Sequence, residues 1–124
     1  QTPTTPSIPH MYGMKKVLEI INVEGLENRW IRHEEMAKYT REWALKHGQE
    51  LFTSSDALSN TITCIDNIKN WNIEEINKKL LSRGFRMDRG YGKYRYKTFR
   101  IPHMGNIYMK DLVKYLDTFE ENIC

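Results

Sequence analysis

Apolar positions along the chain fall into two rhythms. Met11, Met14, Leu18 and Ile21 recur at three- and four-residue steps, with Val17 and Ile20 widening the stripe, and predict a helix that Gly25 stops. A longer pattern runs from Leu26 to about Lys46, carrying Leu26, Trp30, His33, Ala37, Thr40 and Ala44, flanked by Met36 and Trp43, with Gly48 as its stop signal. The period then drops to two, and residues 50–53 and 61–65 predict strands joined by a loop. Asn72 with Glu75 three residues later resembles a capping box. It opens a helix bearing Ile73, Ile76, Leu80 and Leu81, with Gly84 just past its end. Residues 85–89 and 97–101 predict a strand pair joined by Gly90-Tyr91-Gly92 and its basic-aromatic neighbours. Asn106 is the candidate cap of a last helix carrying Tyr108, Leu112, Tyr115, Leu116 and Phe119. The order helix, helix, strand, strand, helix, strand, strand, helix predicts an α+β domain, a small mixed or antiparallel sheet with helices on one face.

Composition narrows the function classes. At 124 residues, 40% hydrophobic and 28% charged, the chain has the size of one domain with a proper core. No apolar run reaches membrane-spanning length, so no membrane partner is expected. The net charge of +3 is too mild to argue for nucleic acid by itself. Cys64 and Cys124 lie far apart and do not suggest a disulfide framework, which makes a reducing cytoplasm the expected setting. The chain begins with glutamine and a Thr/Pro-rich lead-in over residues 1–9, the expected look of a piece of something longer.

Candidate chemistry concentrates near the end of the chain. In "KTFRIPHMG", Phe99 and Ile101 alternate as a buried strand does, and Arg100 between them points the other way. Arg100 is either a solvated strand arginine, one paired with a carboxylate such as Asp88 on the neighbouring strand, or a recognition group for a carboxylate or phosphate. The planar fork of arginine suits that last task, donating two parallel hydrogen bonds at any relevant pH. The stretch over residues 89–96, Arg-Gly-Tyr-Gly-Lys-Tyr-Arg-Tyr, resembles the base-stacking strand of an RNA-recognition motif. Lys93 falls where a stacking aromatic belongs, however, and Tyr94 where an inward aliphatic belongs. A small RNA-binding module using that loop is the alternative reading. His10, His33, His47 and His103 show no metal-ligand spacing, and no metal site is expected. No nucleophile elbow, phosphate-cradling loop or carboxylate pair is present, so no catalytic residue is assigned.

Four segments in order resemble the C-terminal part of class V pyridoxal-phosphate aminotransferases, the serine–pyruvate and alanine–glyoxylate branch. They are Thr2-Pro3, then "EGLENRW" with His33, then "SNTIT" at residues 59–63, and finally Gly90-Tyr91-Gly92 with "KTFRIPHMG". The resemblance spans essentially the whole chain and implies the small domain of a fold-type-I enzyme. It implies that the arginine at position 100 grips the substrate's α-carboxylate, and that the threonine at position 2 reaches the cofactor phosphate of the neighbouring subunit in a homodimer. It further implies a parent that exchanges an amino group between a small amino acid and a 2-oxo acid through pyridoxal 5'-phosphate. The Schiff-base lysine belongs to the family's large domain, which nothing in this chain matches, so the chain alone is expected to be inactive. Pro102 stands where this branch often has a small residue.

Overall fold

The computed structural model describes residues 4–123; Thr2, the candidate phosphate contact, lies outside them. The chain divides between Ile31 and Arg32 into two compact units. In the first, helix α1 (Ile8–Glu24) takes in the end of the Pro-rich lead-in, because Pro9 sits in the first turn, where no backbone donor is missed. Gly25 ends α1 with φ at 84°, a conformation that an L side chain resists, while its amide donates back to the Ile21 carbonyl at 2.8 Å. The predicted apolar stripe is helical, yet α1 buries none of its residues, and Met11, Met14 and Leu18 stay about half exposed. Helix α2 (Leu26–Lys46) starts at once, and Arg29 reaches Glu24 across the turn at 2.8 Å.

In the second unit the rest of α2 buries Met36, Ala37, Thr40, Trp43 and Ala44, much of the predicted stripe. Strands β1 (Glu50–Leu51), β2 (Ile62–Asp66) and β3 (Thr98–Pro102) form an antiparallel sheet in that order. Helices α3 (Ile73–Ser82) and α4 (Met109–Glu120) complete the α+β architecture. Asn72 caps α3 as the sequence suggests, its Oδ1 accepting from the Glu75 amide at 3.1 Å. The last helix differs: its cap is Tyr108, whose amide donates to Asp111 Oδ2 at 3.1 Å, and Asn106 falls in the preceding turn.

A strand over residues 85–89 does not form. Within the segment the Phe85 amide donates to the Leu80 carbonyl and the Met87 amide to Asn77 Oδ1, and just past it the Gly90 amide donates to Asp88 Oδ1. In the register of the Asp88–Arg100 bridge the next pairings would set Gly90 opposite Thr98 and residue 86 opposite Pro102; the Gly90 amide is taken by Asp88 and Pro102 has no amide to give, so no ladder extends. Only a single antiparallel bridge, Asp88 to Arg100, survives at the sheet edge.

The core lies on one face of the sheet. Ile65, Phe99 and Ile101 project into it beside Leu80, Leu112 and Leu116. Phe99 stacks on Phe119 with ring centroids 5.6 Å apart and lies 6.0 Å from Trp71. Phe119 in turn meets Trp43 edge-on at 5.2 Å. Burial of such rings, with about 0.5–1.5 kcal/mol per favourable aromatic pair beyond the area term, pins β3 at its centre.

Candidate functional site

Because side chains alternate along a strand, fixing Phe99 and Ile101 in the core sends Thr98, Arg100 and Pro102 to the opposite face. Thr98 departs from the expected exposure: the loop after Gly90 folds over it, its Oγ1 donates to the Tyr94 carbonyl at 3.3 Å, and it is buried. Arg100 keeps 40% of its side chain exposed. Its register partner on β2 is Cys64, whose thiol pKa is pushed up, first by burial.

Past the end of β3, His103 donates its amide to the Thr61 carbonyl at 3.0 Å. That bond sets the antiparallel alternation, so Pro102, opposite Ile62, occupies a position whose amide would face away from β2. A proline there removes no bond from the β2–β3 ladder, as edge positions allow. The His103 ring turns back to the core face, fully buried, with Nε2 2.9 Å from Thr63 Oγ1. Burial pulls its pKa down to about 4. Arg32 and His33 on α2 hold the segment that follows: Arg32 donates to the carbonyls of Ile107 and Gly105, and His33 Nε2 lies 3.5 Å from the latter. The histidine of the "EGLENRW…H" pattern thus steadies the turn after "HMG".

Arg100 has a partner. Its Nε donates to Asp88 Oδ1 at 2.9 Å and its Nη2 to Asp88 Oδ2 at 2.7 Å, a two-point ion pair. The paired guanidinium, with the Gly90 amide adding a further hydrogen bond, holds the Asp88 carboxyl below its ordinary range, and Asp88 raises the pKa of Arg100. The pairing with Asp88 read from the sequence as one possibility is therefore present. It uses only one edge of the guanidinium, because Nη1 donates to none of the described residues. Asp88, though not Arg100, borders a pocket of about 420 Å³ whose lining includes Arg86, Arg89, Arg95, Tyr91 and Pro102.

The basic-aromatic loop forms a 3₁₀ turn (Gly92–Tyr94). Tyr94 meets Phe52 edge-on at 5.0 Å, and Tyr96 donates its hydroxyl to Glu74 Oε2 at 3.0 Å, beside the Arg89–Glu74 ion pair. Arg95 covers the Tyr96 ring at 4.9 Å. Two of its three tyrosines are thus engaged within the chain, and Tyr91 is left largely exposed. The remaining histidines are dispersed: His10 lies against Ser7, and His47 against Trp43 and Glu120. Among the described residues no three His, Cys, Asp or Glu side chains converge as a metal site would require. No helix among them is long and apolar enough to cross a membrane.

A carbonyl cofactor would need a cradle among the described residues. A Schiff-base lysine needs a desolvated pocket to lower its pKa. None of the described lysines is buried, and Lys79, the one partly buried, pairs with Glu75 at 3.5 Å. These residues do not form a pyridoxal-phosphate site on their own.

No family model matches the chain. It is 34% identical over 110 residues to serine–glyoxylate aminotransferase from Arabidopsis thaliana, an alignment covering 85% of this chain and 27% of that protein. It is 35% identical over 123 residues to an uncharacterised aminotransferase from Methanocaldococcus jannaschii, covering 97% and 31% respectively. The fold superposes on alanine–glyoxylate aminotransferase from Nostoc sp. with a TM-score of 0.83 at 22% identity, over 98% of this chain and 33% of that one. The chain spans about a third or less of the length of these relatives. It is homologous to a segment of the serine–glyoxylate aminotransferases and has the small α+β domain fold found within aminotransferase structures.

Proposed function

We propose that this chain is the small domain of a pyridoxal-phosphate-dependent aminotransferase and that Arg100 holds the α-carboxylate of its substrate. The observation that carries the reading is the position of Arg100: a guanidinium on the face of β3 opposite a strand centre locked by Phe99, with one edge undirected. An arginine so placed clamps a carboxylate at two points and fixes the Cα of an amino acid in space. That is catalysis by positioning, in which orientation replaces a search through unproductive poses.

Since the described residues do not form a cofactor site, the amino-transfer chemistry falls to a large domain bearing the lysine. On this reading the substrates are a small amino acid of the serine or alanine kind and a 2-oxo acid of the pyruvate or glyoxylate kind. The same reading gives the parent as a cytoplasmic homodimer and assigns Thr2 to the cofactor phosphate across its interface. The test compares the isolated chain with the protein containing both domains in a coupled transaminase assay with added pyridoxal phosphate. Turnover by the two-domain protein alone is expected. Turnover by the isolated chain, or none by the longer protein with any small amino acid, would overturn it.

A further inference from the structure

The ion pair to Arg100 raises a question that the homology leaves open, because a carboxylate on the substrate-binding arginine is either its competitor or its support. We propose that Asp88 is a positioning residue: it occupies the Nε–Nη2 edge of Arg100 and so turns the Nη1–Nη2 edge outward to receive a carboxylate ligand. The inference rests on the assignment of Arg100 as the carboxylate clamp.

A guanidinium has two edges able to make parallel hydrogen bonds, along Nε–Nη2 and along Nη1–Nη2. Asp88 fills the first at 2.9 and 2.7 Å, and Nη1 has no partner among the described residues. A competing carboxylate should be free to swing away, but this one is held. Asp88 Oδ1 accepts a second hydrogen bond, from the Gly90 amide at 3.0 Å, and the backbones of Asp88 and Arg100 are bridged. That turn is itself fixed at Gly90, where φ is +75° and a Cβ would stand 2.6 Å from the carbonyl oxygens of Thr98 and Tyr94. Only glycine closes the turn, and the closed turn aims the carboxylate along β3.

The local charge agrees. Arg86, Arg89 and Arg95 line the pocket that Asp88 borders, and among the described residues only Arg89 of these three has an ion-pair partner, Glu74. One aspartate therefore leaves the face positive and attractive to an anion. Holding a long side chain in one rotamer before the ligand arrives also removes an ordering cost from binding.

The test uses the two-domain protein with its cofactor and follows KM and kcat for an amino acid and for the matching amine that lacks the carboxylate. Asp88→Ala is expected to raise KM for the amino acid roughly tenfold or more, since a charge-assisted hydrogen bond is lost from the clamp. The kinetics of the amine should stay nearly unchanged. Asp88→Asn, which keeps one acceptor, should fall between and also guards against a misfolded alanine variant. A lower KM for the amino acid in Asp88→Ala would make Asp88 a competitor and overturn the proposal. Equal losses for acid and amine would reduce it to a structural contact and overturn it likewise. Arg100→Ala separates the two levels. If it abolishes the preference for the acid while the Asp88 variants do not, only the positioning role fails. If it leaves that preference intact, the clamp itself is wrong and this inference goes with it.

Discussion

Mild acidification should loosen this fold through one buried histidine. His103 is fully buried beneath β2 and β3 against Thr63, and burial lowers its pKa from the ordinary 6.5 to about 4. The unfolded chain therefore takes up a proton at this ring at a pH where the folded chain does not. Stability contributed by the neutral ring is complete above pH 6.5 and declines as pH falls towards 4. A gap of about 2.5 units corresponds to roughly 3 kcal/mol in full, of which about 2 kcal/mol is lost between pH 7 and pH 5. Loss of that order is a sizeable part of a small domain's stability. Urea denaturation at pH 7, 6 and 5, with stability obtained from midpoint and slope, measures it directly. His103→Gln keeps a partner for Thr63 but cannot titrate, so its stability should vary much less over the same interval, whatever its absolute value. Equal pH dependence in the two proteins would show that His103 is not the group responsible. Below about pH 4 a second decline should set in, because the unfolded chain protonates Asp88 there while the folded carboxylate, held low by Arg100, stays ionised.

Gly90→Ala should destabilise the chain by about 2 kcal/mol or more, because it combines a strained positive φ with a clash against two backbone oxygens. Its chemical denaturation midpoint should fall well below that of Gly92→Ala, where no atom lies near the added methyl. Cys64 should react slowly with a disulfide reagent at pH 7.5, since burial raises its thiol pKa and leaves little thiolate. A rate matching that of a free thiol, in a Cys124→Ser background, would contradict this.

Much of the second unit was legible in the sequence, and the reasons differ by element. The core face of α2, the strand alternation around Arg100 and the Asn72 cap each rest on local chemistry that adjacent residues state in full. The segment over 85–89 has strand composition too, but whether it pairs depends on where its amides go. The Gly90 amide turns to Asp88 Oδ1, and Pro102 on β3 offers no amide to residue 86, so the bridge at Asp88 stays single. The cap of α4 differs from the sequence expectation for a similar reason: the choice of Tyr108 depends on Asp111 reaching back, while asparagine at 106 carries the stronger sequence signal. Burial of Thr98 follows from the path of the loop after Gly90, which no alternation rule encodes. Asp88 could be named as a partner of Arg100, but that it leaves one guanidinium edge open required the atoms. The role of Gly90 was the part missed, and its signal was present in the Asp-x-Gly spacing that precedes the turn.

If Arg100 binds the substrate's carboxylate, the affinity of the two-domain, cofactor-loaded protein for a small amino acid depends on it. Dissociation constants would be compared for the native protein, Arg100→Lys and Arg100→Ala. Arg100→Ala should weaken binding by about 2–5 kcal/mol, or roughly thirtyfold to several thousandfold. Arg100→Lys should recover only part of the loss, because an ammonium cannot make two parallel bonds to the carboxylate. An Arg100→Ala protein that binds the amino acid as tightly as the native one would contradict it.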